Sequence, residues 1–170
     1  LQVTNGAMTF EWVGVIDRTH DSTAGYQSWM YNSAGGFAPN QGPMFKLREE
    51  LTTSATAWLY QSFGSNYNAE YKPTKQTYGQ ATHNVVFFNS AANHIRWYRN
   101  GSLVGTKNVY NTKQINGSAA SILIGNSTTN ATGTYGYPYS GIWGRMGGVA
   151  VYNKALSSTE ITAHYNALLT

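Results

Sequence analysis

Apolar and polar side chains alternate along most of this chain with the period of two that marks β-strands, and only its C-terminal end shows helical spacing. Residues 81–106 carry the pattern most plainly. Two β-rich runs, Thr82–Phe88 and His94–Arg99, flank Asn89-Ser90-Ala91-Ala92-Asn93, a small polar loop suited to a hairpin. The second run meets Asn100-Gly101, a dipeptide that tolerates the positive φ a type I′ turn requires at both central positions. A third run, Ser102–Thr106, follows at once, so the stretch predicts a three-stranded antiparallel meander. Ile95 and Trp97 share one face of its middle strand while Arg96 and Tyr98 share the other. One face is therefore greasy and the other can bear charge, as in a sheet packed on one side. Val85-Val86-Phe87-Phe88 is apolar without alternation, which predicts a central strand covered on both faces.

Upstream, Ala7–Asp17 predicts a long strand with Met8, Phe10 and Trp12 on one face and Thr9, Glu11 and Val13 on the other. Residues 18–42 are rich in Ser, Gly, Asn, Thr and Gln, with Trp29, Met30, Tyr31 and Phe37 embedded. A structureless loop of that length is uncommon in a compact domain, so a short strand is expected near Gln27–Tyr31, set among functional loops. Pro43–Leu51 and Ala55–Phe63 read as strands, the latter with Trp58 and Tyr60 on one face, and Asn66–Lys72, closed by Pro73, as another. Ala120–Gly125 is a short apolar strand that leads into a loop of Asn, Thr, Ser, Gly and Tyr over Asn126–Gly141. Ile142–Asn153 returns to strand, where Gly147-Gly148 signals a bulge or a close backbone approach. Trp12, Trp58, Trp97 and Trp143 are assigned to sheet packing, and Trp29 to core in preference to a ligand platform. Ser157-Ser158-Thr159-Glu160 has the spacing of a capping box, and Ile161, Tyr165 and Leu168 follow at i, i+4 and i+7. There is no internal repeat and no linker, so residues 1–170 are expected to form one all-β domain, a sandwich with one short C-terminal helix packed on it.

Composition narrows the possibilities. Only 11% of residues are charged while 14% are aromatic, the balance of a folded chain of short strands and polar turns. No apolar run approaches the roughly 20 residues that span a bilayer, so no membrane insertion is expected. No signal peptide is visible and the chain opens on Leu1, which reads as a mature fragment or a domain of something longer. The absence of cysteine excludes disulfides and thiolate metal sites and leaves the compartment open. The net charge of +4 comes from 11 basic residues scattered singly. Lys72–Lys75 and Arg96–Arg99 come nearest to clusters, and neither makes the concentrated stripe that nucleic acid requires.

The order of these pieces resembles a known family. His94-Ile95-Arg96-Trp97-Tyr98-Arg99-Asn100-Gly101-Ser102-Leu103-Val104-Gly105 resembles the hairpin of laminin-G-like domains in the concanavalin A-like lectin/glucanase superfamily, hydrophobic-x-x-Tyr-x-Asn-Gly-x-x-Val-Gly. Gly147–Ile161, with Tyr152-Asn153 running into Ala155-Leu156-Ser157-Ser158-Thr159-Glu160-Ile161, is similar to that group's final strand and helix. Ile122-Leu123-Ile124-Gly125 resembles its Leu-x-Ile-Gly strand. Phe10-Glu11-Trp12-Val13 resembles its opening strand, with one residue fewer before the tryptophan. Residues 18–79 match only loosely. The resemblance implies a jelly-roll sandwich of two antiparallel sheets, and it leaves function open, since the superfamily holds sugar binders, adhesion modules and glycosidases.

For chemistry, retaining glucanases of that superfamily carry Glu-x-Asp-x-x-Glu, because nucleophile and acid sit roughly 5 Å apart across the sugar bond. The seven acids here, Glu11, Asp17, Asp21, Glu49, Glu50, Glu70 and Glu160, nowhere repeat that spacing. Glu49 and Glu50 are adjacent and would face opposite sides of a sheet, and Glu160 serves the helix cap. His20, His83, His94 and His164 show no metal-ligand spacing, and no Gly-x-Ser-x-Gly occurs. Asp17 and Asp21 follow the first strand and could place carboxylates on a calcium ion, as in some laminin-G-like domains; the plainer reading is a polar loop of Asx-type turns. No catalytic residue is assigned.

For binding, sugar sites combine flat aromatic faces with short polar side chains. Two segments have that mixture in loop context: Tyr26–Asn40, with Tyr26, Trp29, Tyr31, Asn32, Phe37 and Asn40, and Asn126–Tyr139, with Asn126, Asn130, Tyr135, Tyr137 and Tyr139. The alternative is that these tyrosines cover the sheet rim or a neighbouring subunit. The expected function is a non-catalytic carbohydrate-binding or adhesion domain that recognises cell-surface glycan, extracellular or on a phage virion surface. The rivals are a structural virion or fibre module making protein–protein contacts, and a glycosidase with a dispersed acid pair.

Overall fold

The computed structural model describes residues 7–17, 26–32, 45–51, 56–63, 75–89, 94–108, 122–125 and 144–169, with side chains described in 7–17, 76–87, 94–108, 124–125 and 144–169. Among these described residues ten strands and a helix follow in order: β1 (Ala7–Ile16), β2 (Tyr26–Asn32), β3 (Phe45–Leu51), β4 (Thr56–Phe63), β5 (Lys75–Thr77), β6 (Thr82–Asn89), β7 (His94–Arg99), β8 (Ser102–Asn108), β9 (Ile122–Ile124), β10 (Gly144–Tyr152) and α1 (Ser158–Ala167). They form two five-stranded antiparallel sheets, β10-β1-β6-β7-β8 and β5-β4-β3-β2-β9. This is the jelly-roll sandwich with one C-terminal helix that the sequence implies.

The meander forms as its residues dictate. Asn100 and Gly101 adopt φ of 49° and 75°, and the strands on either side pair with Tyr98 opposite Leu103. Val85 and Val86 are both fully buried, because both faces of the central strand β6 are covered, Val85 clustering with Leu156 and Ile161 on the outer side. Met8, Phe10, Trp12 and Ile16 of β1 join Val86, Ile95 and Trp97 on the inner face, each large side chain contributing roughly 1.5–3 kcal/mol through its burial. That face is not wholly apolar. Arg99 Nε donates to Asn84 Oδ1 at 2.9 Å, and Asn84 Nδ2 donates to the Thr82 carbonyl, so both polar side chains are buried with partners. Between the sheets, Gln76 Nε2 donates to the Gly14 carbonyl and the Gly79 N–H to the Ile16 carbonyl. β5, which has no apolar alternation to reveal it, is fastened by these bonds instead.

The outer face departs from the expectation of a sheet packed on one side. Cross-strand partners share a face, so Glu11, Val85 and Tyr98 form one row across β1, β6 and β7. Val85, Tyr98, Leu156 and Ile161 make a second buried cluster there, with Tyr152 packed against it. Thr9 directs this covering: its hydroxyl donates to the Lys154 carbonyl at 2.7 Å and accepts from the Leu156 N–H at 3.2 Å. The chain leaving β10 is thereby turned back over the sheet. Ser157 then caps α1 in a complete capping box: the Glu160 N–H donates to Ser157 Oγ, and Glu160 Oε2 accepts from the Ser157 N–H at 2.7 Å. The Lys154 ammonium, 2.6 Å from Glu160, and the Ser157 bonds hold the Glu160 carboxyl down to about 2. Ser157→Ala should cost about 1 kcal/mol, read as a lower urea midpoint with an unchanged slope. Ile161 is buried as the helical spacing expects, whereas Leu168 is exposed, because the helix ends at Ala167 and Leu168 is its C-cap.

Candidate functional site

The densest polar constellation among the described residues is built on Glu11. Its strand alternation puts it on the outer face, beneath α1, where it is buried. His83 of β6 brings Nε2 within 2.7 Å of Oε1, the Tyr152 hydroxyl of β10 donates to Oε2 at 2.7 Å, and His164 Nδ1 of α1 lies 3.0 Å from Oε2. An ionised carboxylate only accepts hydrogen bonds, so three elements donate into one acceptor supplied by a fourth. Burial alone would raise the Glu11 carboxyl, but the bonds from His83, Tyr152 and His164 together hold it down to about 2. Burial and the adjacent carboxylate push the Tyr152 phenol up to about 12. The His83 ring stacks on Tyr165, centroids 5.9 Å apart, and its Nδ1 is buried with no hydrogen-bond partner among the described residues.

This arrangement fastens the helix to the sheet. Sugar hydrolysis by paired carboxylates needs a second acid across the scissile bond, and none stands among the partners of Glu11. Sequence reasoning placed Glu11 on the correct face but assigned it no role. The available signal was His164, three residues after Ile161 and so on the buried stripe of the helix.

Of the sequence-derived ligand residues, Tyr26, Tyr31 and Asn32 lie on β2, one strand in from the sheet edge. Tyr31 is in register with Lys46 and Leu123, Asn32 with Phe45 and Ile122, and Tyr26 with Glu50 at the other end of the strand. Asn126, Asn130, Tyr135, Tyr137 and Tyr139 lie outside the described residues, as does Asp21. The edge strand β9 runs antiparallel to β2 with Ile124 opposite Met30. Asp17 is exposed at the end of β1, with Oδ1 3.1 Å from Arg145 Nη2. Among the described residues no group of three or more His, Cys, Asp or Glu can hold a metal ion. Calcium commonly takes six to eight oxygens, and Asp17, already paired with an arginine, does not make such a site without residues beyond those described. Glu49 and Glu50 are consecutive in β3, opposite Leu59 and Trp58. No described helix is long and apolar enough to cross a membrane.

A family model described as the Concanavalin A-like lectin/glucanases superfamily, laminin-G type, matches residues 2–162. No curated protein sequence matches the chain. Among solved structures, the heptameric SAP-like pentraxin of Limulus polyphemus is similar with a TM-score of 0.69 at 17% identity, over 92% of this chain and 68% of that one. The CBM40 of Ruminococcus gnavus IT-sialidase, bound to α2,3-sialyllactose, superposes with a TM-score of 0.55 at 16% identity, over 96% of this chain and 84% of the other. Trypanosoma rangeli sialidase in complex with sialic acid gives 0.67 at 16% identity; 99% of this chain is covered, but only 24% of the sialidase. At these identities the likenesses establish the fold.

Proposed function

The chain belongs to the Concanavalin A-like lectin/glucanases superfamily, and on that premise we propose that it is a non-catalytic carbohydrate-binding domain recognising surface glycan, carried on an extracellular or virion protein. The observation that carries this reading is the adjacency of β2 and β9. Their antiparallel register sets Tyr31 and Asn32 beside Leu123 and Ile122, on the edge strand that precedes the aromatic, amide-rich residues 126–139 in sequence. Aromatic rings there supply contact area with little entropy to lose, and asparagine side chains supply donors and acceptors for sugar hydroxyls. The sugar-bound R. gnavus module of similar fold supports the same reading. The conversion of Glu11 into a clamp supports a non-catalytic role.

A glycan array probed with the 170-residue chain, with calcium and with chelator, tests the proposal. Binding to at least one polysaccharide is expected, and the triple variant Tyr135→Ala, Tyr137→Ala, Tyr139→Ala should lose at least tenfold in affinity. Silence toward bacterial and host polysaccharides in both conditions contradicts it. Dependence on calcium would assign Asp17 and Asp21 a part in binding. The rival, a structural virion or fibre module, is favoured by exposed Ile124 on the edge strand β9, where a neighbouring subunit could pair. It predicts association in solution that Ile124→Lys abolishes.

A further inference from the structure

The outer face of the β10-β1-β6-β7-β8 sheet continues beyond the helix. One row across it reads Thr9, Phe87, Arg96, Thr106, and the next includes His94 and Asn108. The Arg96 guanidinium lies over the Phe87 ring at 5.9 Å from its centroid, and the His94 ring meets the same phenylalanine edge-on at 5.5 Å. Phe87 is buried and Arg96 half-buried, so the guanidinium rests on an aromatic floor. His94 Nε2 is closed to solvent, so that nitrogen does not face the surface. On β8, the exposed Thr106 and Asn108 stand in register with Arg96 and His94 on the same face.

Charge on this face is unbalanced. Arg96 has no carboxylate partner among the described residues, in contrast to Arg145 and Lys154, which pair with Asp17 and Glu160. Glu11 lies one row away, but both its oxygens are already taken by His83, Tyr152 and His164. The chain as a whole carries +4. A guanidinium held over a ring face keeps its planar fork of donors, and its half-buried stem limits the entropy left to lose, which suits it to a bidentate carboxylate. We propose that Arg96, supported by Phe87 and His94 and flanked by Thr106 and Asn108, is a subsite for the carboxylate of an acidic sugar. Thr106 and Asn108 would meet the neighbouring hydroxyls. This inference rests on the carbohydrate-binding reading and adds to it a substrate class, glycans bearing uronate or sialate, and a second surface distinct from β2 and β9.

The test is titration calorimetry of the full chain with polygalacturonate oligomers, with polysialic acid, and with polygalacturonate whose carboxyl groups have been reduced to alcohols. Wild type should bind at least one of the two acidic polymers, more weakly as salt rises, and should lose tenfold or more on the reduced polymer. Arg96→Ala should lose a similar factor and Arg96→Lys less, while Lys154→Gln, which removes the same charge elsewhere, should change affinity less than twofold. Thermal melts confirm that the variants fold. Equal binding by wild type and Arg96→Ala, or an equal loss in Lys154→Gln, overturns the subsite. Binding of neutral glycans alone would also overturn it while leaving the carbohydrate reading intact, and binding of nothing would remove both.

Discussion

Glu11→Ala should destabilise the domain by about 3–5 kcal/mol, the cost typical of removing one member of a buried charged network and stranding the others. The substitution leaves the His83 and His164 nitrogens and the Tyr152 hydroxyl facing a void under α1. Glu11→Gln keeps the shape but loses the charge and cannot accept from all three donors, so it should fall between wild type and alanine. Chemical denaturation monitored by tryptophan fluorescence reads the difference, since Trp12 and Trp97 are fully buried in the same sheet. The pH dependence gives a second signature. The folded carboxyl is held at about 2 against an ordinary value of 4.5, by His83 from β6, Tyr152 from β10 and His164 from α1, all acting against the cost of burial. A depressed carboxyl contributes its stability in full above about 4.5 and loses it as pH falls toward about 2. The amount at stake is about 3 kcal/mol, and Glu11→Gln should flatten stability across that window. An unchanged acid limb in the variant would show that Glu11 is not the group responsible.

Gly144→Ala should be comparably damaging for a different reason. A Cβ at this position would overlap the carbonyl oxygen of Val15 and sit 2.9 Å from its carbonyl carbon, both backbone atoms of the paired strand. No rotamer relieves a clash between Cβ and backbone, so the end of the β1–β10 ladder, where Ile16 faces Gly144, must separate. A loss of at least about 2–3 kcal/mol is expected, at the upper end of ordinary single substitutions. Hydrogen exchange should place the damage at the Gly144–Met146 end of β10. Protection at the Tyr152 end, beyond the bulge at Gly148, should survive better.

What the sequence revealed and concealed follows from how local each cause is. The β6-β7-β8 meander was legible because alternation and Asn100-Gly101 act over a few residues, and the helix start because Ser157 and Glu160 are three apart. A strand near Gln27–Tyr31 could be expected because residues 18–42 are too long a run for a structureless loop, and β2 lies there. β5 could not, since Lys75-Gln76-Thr77 has no apolar period and is held by the hydrogen bond from Gln76 to Gly14, a partner far away in sequence. Tyr98 shared its face with Arg96 and read as solvent-facing; it is buried because a helix 60 residues later, over Ile161, returns to cover it. The Glu11 cluster drew on residues separated by up to 153 positions, for which no local pattern exists. The candidate ligand residues Tyr26, Tyr31 and Asn32 read as part of a loop segment, and they lie instead on β2, which extends the strand expected near Gln27–Tyr31 by one residue at each end. The pairing of β2 with β9 was not legible, because the pattern of either strand alone does not contain their register.

The most direct measurement is a backbone NMR titration of the chain with an oligosaccharide that binds it on the array. Shift changes concentrated in Tyr26–Asn32 and residues 125–139, with α1 and the Glu11 cluster unmoved, are the predicted result. Changes confined to α1 and to Glu11, His83 and Tyr152, with the β2–β9 edge silent, would contradict it.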